Sequence, residues 1–138
     1  KKNNGAVVID IKCPFTLKSF CNLEAIKTRE DLKKENPEYY WQLVSNGILT
    51  GADSAELIVY VPFENELNDI RVLCDTMSGE DLHKYFWISN SRDEELPFLP
   101  NKGFYENINI LEFRIPEEDK EALTKRVVEF SNLLTKRL

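Results

Sequence analysis

Residues 6 to 15 read AVVIDIKCPF, and the fold turns on how that stretch is built. Side chains on a strand switch faces at every residue, so Val7, Ile9 and Ile11 share one face while Val8, Asp10 and Lys12 share the other. Cys13-Pro14 then halts the strand, because proline has no N–H to give a ladder. Outward from there, SAELIVYVPF at residues 54 to 63 is a β-branched and aromatic run, apolar on both faces in its middle and ended by Pro62. It predicts a central strand covered on both sides. Between the two, Asn36-Pro37-Glu38 opens a helix with a cap residue, proline at the first position and an acid in the first turn. That helix runs through EYYWQLVSNGIL and stops near Thr50-Gly51. Tyr40, Val44 and Ile48 mark its buried stripe, with Gln42 off it. A strand–helix–strand unit of this kind predicts an α/β fold, a central mixed β-sheet flanked by helices.

The remaining elements follow from caps and periodicity. Thr16 opens a helix over residues 16–26, and Thr28 opens a short one to Lys34, its Thr28-x-x-Asp31 spacing approximating a capping box. Helices are expected from Glu66 to Asp75 and from about Ser78, with irregular chain through NSRDEELPFLPNKG. NINILEFRI, residues 107 to 115, predicts another strand. Pro116 then starts a C-terminal helix with Glu117, Glu118 and Asp119 in its first turn and Lys136 and Arg137 in its last, a match to the helix dipole. Its apolar stripe, Leu123, Val127, Phe130, Leu134 and Leu138, is expected to cover the sheet.

The 138 residues suffice for one domain, 1–138, with a real core. Apolar residues at 42% and charged residues at 30% describe a globular chain, too apolar for disorder. No apolar run reaches the ~20 residues a membrane span needs, and Lys1 to Gly5 lead into a strand rather than a signal core, so the expectation is a cytoplasmic protein. Cys13, Cys21 and Cys74 are odd in number without CxxC pairing, and His83 is the one histidine, so neither a disulfide framework nor a zinc site is supported. The cysteines read as reduced and as small core residues. The net charge of −6 argues against bulk coating of nucleic acid. Residues 1–34 nonetheless carry eight Lys or Arg against four Asp or Glu, which concentrates basic side chains around the DIK strand.

An aspartate and a lysine on one face of a strand end suit metal-assisted phosphodiester hydrolysis. A carboxylate holds Mg²⁺, a hard cation that prefers oxygen, the Ile11 backbone carbonyl offers a further oxygen, and an ammonium orients water or steadies charge on a phosphate. The bland alternative is a solvated Asp–Lys face worth at most about 1 kcal/mol.

The ordered set VVIDIKCP, then YYWQLVSNGILTG, then AELIVYVPF resembles the PD-(D/E)XK nuclease superfamily, and within it the phage-type recombination exonucleases related to lambda exonuclease, the YqaJ-like family. Asp10, Lys12, Cys13 and Pro14 match the family's (D/E)-x-K followed by Cys-Pro. Tyr39, Tyr40, Gln42, Thr50 and Gly51 match its YY-x-Q helix ahead of a TG turn. The likeness covers residues 6–63 well and the rest loosely. It implies a restriction-endonuclease-like core and a DNA exonuclease that resects linear double-stranded DNA using Mg²⁺ or Mn²⁺. Asp10 and the Ile11 carbonyl would be metal ligands, Lys12 would position the attacking water, and Gln42 would orient the lysine or the scissile phosphate. Lys18 is a weaker candidate for a DNA phosphate. A homo-oligomeric ring and a single-strand annealing protein as partner are implied in the same way. The sequence departs from the family upstream of Asp10, where KKNNGAVVI holds no acid to serve as the second metal ligand. The expectation is therefore an N-terminally truncated core, or a degenerate member, inactive by itself. A non-catalytic interaction module with a nuclease fold and a restriction or repair endonuclease stay as alternatives.

Overall fold

Both anchoring strands form in the computed structural model, which describes residues 5–137. β1 (Val7–Lys12) is followed by α1 (Leu17–Glu24), α2 (Arg29–Glu35) and α3 (Pro37–Thr50), and β2 (Ser54–Tyr60) comes next. α4 (Glu64–Asp75), α5 (Glu80–Asn90), a single 3₁₀ turn at Asp93–Glu95, β3 (Ile108–Arg114) and α6 (Glu117–Thr135) complete the order. The class is α/β, with a three-stranded mixed sheet in the order β1-β2-β3. β2 and β3 run antiparallel, since the Val61 N–H donates to the Asn107 carbonyl at one end and the Ile115 N–H to Asp53 at the other.

The caps act as the sequence implied. Thr16 Oγ1 accepts the Ser19 N–H at 3.1 Å, and Thr28 Oγ1 accepts the Asp31 N–H at 3.1 Å while donating to the Asp31 carboxylate at 2.7 Å. Pro37 occupies the first turn of α3, and Gly51 ends that helix at φ 72°, a left-handed cap that glycine adopts without a Cβ penalty. α6 stops at Thr135, so Lys136 is its C-cap and Arg137 lies past its end rather than in the last turn.

The chain divides into two compact units. One holds the described residues up to 11, residues 26–58 and those from 110 onward; the other holds residues 12–25 and 59–109. In the first, α3 packs on α2 and α6, and Leu32, Tyr40, Leu43, Val44, Ala55 and Leu57 are buried. The α3 stripe is rotated from the expected one: Leu43 and Gly47 are buried and Ile48 is exposed. Ile115 packs against that face: its Cδ1 lies 2.5 Å from where a Cβ on Gly47 would stand, so a side chain there would have to push Ile115 aside. In the second unit α4 packs on α5, and Phe20, Val59, Val61 and Leu67 are buried. Glu66 there accepts the Phe63 N–H at 2.6 Å and Asn107 Nδ2 at 3.0 Å, satisfying the start of α4.

Three expectations are corrected by burial. β2 is central, but only Ala55, Leu57 and Val59 are buried, while Ser54, Glu56, Ile58 and Tyr60 on its other face are half-covered. α6 does not cover the sheet with its whole stripe, since it packs on α3 and leaves Val127, Phe130 and Leu134 exposed; Leu138 lies outside the described residues. Of the cysteines only Cys74 is a core residue, and Cys13 and Cys21 are exposed.

Candidate functional site

β1 carries the candidate pair as its alternation dictates. Val8 is buried, Asp10 and Lys12 on the same side are half-buried, and one oxygen of Asp10, Oδ2, is shielded from solvent. The all-apolar side faces outward: Val7, Ile9 and Ile11 are 41, 56 and 62% exposed. The strand itself therefore brings Asp10 and Lys12 together at its end, with exposed Cys13 and half-buried Pro14 following. Gln42 is exposed on α3, off the buried stripe, in the same unit as Asp10 and Ile11. Lys18 is exposed in the first turn of α1, in the unit that also contains Lys12.

Against a metal, this set is thin. Asp10 is one carboxylate, and Mg²⁺ held by one side chain keeps water or substrate phosphate in its other positions. Among the described residues, no group of three or more His, Cys, Asp and Glu stands where it could share an ion.

The chain matches no protein-family model, no curated protein and no solved structure.

The first unit also holds an arrangement that strand and helix periodicity did not disclose. Asp119, on α6, is buried, and Lys33 Nζ from α2 reaches its two oxygens at 2.9 and 3.1 Å. The Tyr40 hydroxyl from α3 donates to the same carboxylate. Lys33 lies 5.1 Å from the Trp41 ring centre and 5.4 Å from that of Tyr40, which stacks on Phe113 at 5.8 Å. Burial pulls the Asp119 carboxyl up, but the hydrogen bonds from Lys33 and Tyr40 outweigh it and hold the group below the usual carboxylate range. Burial, reinforced by the bond to Asp119, pushes the Tyr40 phenol up. In sequence, Asp119 reads as a helix-dipole acid, and nothing in its spacing reveals that α2 and α3 converge on it. Tyr40, part of the YY-x-Q match, thus serves to clamp three helices.

Beside this clamp, α3 and α6 leave an open cleft of about 550 Å³ lined in part by Gly47, Gly51, Asp53, Glu117, Lys120 and Thr124. Lys120 is nearly buried and pairs with Asp53 at 3.3 Å and Glu117 at 3.8 Å. Its charge is spent within the protein.

Proposed function

We propose that the DIK strand belongs to a metal-dependent deoxyribonuclease, an exonuclease that resects linear double-stranded DNA in phage-type recombination. The observation that carries this reading is the placement of Asp10 and Lys12 on one side of the end of β1, both half-buried, in a strand–helix–strand unit. Half-burial matters because a charge at a partly desolvated position acts on a phosphate more strongly than one free in water. The resemblance of residues 6–63 to the YqaJ-like exonucleases supports the same reading. In it, Asp10 and the Ile11 carbonyl offer oxygens to a divalent cation, Mg²⁺ or Mn²⁺. Such an ion, when bound, would activate water and offset charge on the scissile phosphate. Lys12 holds an ammonium beside the phosphate and orients the attacking water, and Gln42 helps position the lysine or the phosphate. Lys18 adds a weak phosphate contact. In this reading a chain with Asp10 as its one carboxylate ligand holds the ion weakly and cleaves only when a further carboxylate is supplied.

Degradation of linear and closed circular double-stranded DNA by the longest natural form of the protein, with Mg²⁺ or Mn²⁺, tests the proposal. Loss of linear DNA alone, abolished by Lys12→Ala and Asp10→Asn and reduced by Gln42→Ala, is the expected result. Cleavage of circles would instead make it an endonuclease of the restriction or repair kind.

A second reading is favoured by a specific observation, the exposed apolar side chains of β1 and β3. Val7, Ile9, Ile11 and Ile110 are too many bare aliphatic groups for a surface with no partner. A nuclease fold used only for interaction would keep that surface and need no acids. No cleavage from a folded chain that has a second acid beside Asp10 would favour it. A single-strand annealing protein is the partner the resemblance suggests.

A further inference from the structure

α6 is 19 residues long, about 28 Å, yet only its first two turns are held. Asp119, Lys120 and Leu123 are its least exposed residues, and every residue from Thr124 to Thr135 is exposed. Among these, Val127, Phe130, Leu133 and Leu134 are between 51 and 63% exposed. Three uncovered turns fall short of the length at which a helix is stable alone in water. Leu123, Val127, Phe130 and Leu134 follow one another at intervals of four, three and four, the seam by which one helix packs on another. Alongside runs an apolar groove of about 210 Å³ between α3 and α6, bordered by Ile48, Leu49, Leu123, Val127 and Val128. Leu49 on its rim is 81% exposed.

We infer that a second copy of this chain covers the seam, the distal half of α6 from each copy lying antiparallel along α6 of the other and in its α3–α6 groove. Charge selects this occupant and this direction. α6 opens with exposed Glu117, Glu118 and Glu121, and Lys136 and Arg137 follow directly on its last turn. Antiparallel pairing carries the basic end of each copy toward the acidic opening of the other and opposes the helix dipoles, whereas parallel pairing sets like against like. The same patch is used twice, so the contact closes at two copies.

Sedimentation velocity and light scattering of the chain test this. A species of twice the 16.1 kDa chain mass is expected at micromolar concentration. Phe130→Asp with Leu134→Asp should give one chain mass, with any loss of helical circular dichroism confined to the amount the distal turns of α6 contribute, because both side chains are exposed in the single chain and lie outside its core. Lys136→Glu with Arg137→Glu should weaken the dimer by about tenfold, and adding Glu117→Lys with Glu121→Lys should restore it. A monomer throughout, a trimer, a dimer indifferent to the Phe130 and Leu134 substitutions, or a charge exchange that fails to restore association would each overturn the inference.

Discussion

Asp119 is where the chemistry of one residue most affects stability. Its carboxylate, buried between Lys33 and Tyr40, titrates below its ordinary value. A carboxyl with a depressed folded pKa contributes stability that is complete above its unfolded value of about 3.9 and lost as pH falls through the folded one. Urea midpoints measured from pH 7 into the acid range should therefore fall for the natural chain, and the gap between it and Asp119→Asn should close as Asp119 protonates. Tyr40→Phe removes a hydrogen bond to a buried charge and should cost about 1.5–3 kcal/mol at neutral pH. A loss well below 1 kcal/mol would mean that the clamp is replaced by water. Asp10 and Lys12 present the opposite case: their shared side of β1 was legible from alternation alone. The Asp119 clamp was not, because its members are separated by 86 and 79 positions and meet only when three helices converge.

Among the elements, caps and breakers were the legible features, since they act within one turn. Thr28→Ala should cost about 1 kcal/mol by orphaning the Asp31 N–H, read as a lower thermal midpoint. Gly47 shows what local rules miss. It looks like a weak point in a helix, yet Ile115 packs where its side chain would stand. Gly47→Val should destabilise by about 1–3 kcal/mol through overpacking, despite removing a glycine from a helix interior. Equal or greater stability in a denaturant series would show that Ile115 moves aside freely. Expecting Ile48 in the buried stripe was an error of the same origin, because a 3.6-residue period gives the width of an apolar face but not which edge of it a neighbour occupies.

For the molecule as a whole, burial separates the apolar surface that is core from the apolar surface that is not. Ile9 lies on the outward side of β1, so Ile9→Thr should change stability by no more than about 0.5 kcal/mol, whereas Leu57→Ala, on the buried side of β2, should cost about 2–5 kcal/mol. A large loss for Ile9→Thr would reveal a partner over that side. Among the described residues, no helix is long and apolar enough to cross a membrane. The sequence by itself determined the α/β class, the order of the strands and helices along the chain, most of their caps, and the shared side of Asp10 and Lys12, because each of these follows from contacts within a few residues. Only the tertiary structure decided that the outward side of β1 is the apolar one, that α6 leaves Val127, Phe130 and Leu134 of its stripe bare, and that Asp119 is a buried clamp. Those facts depend on which distant segments share a volume, and periodicity, which records that a side chain is apolar, does not record what stands in front of it.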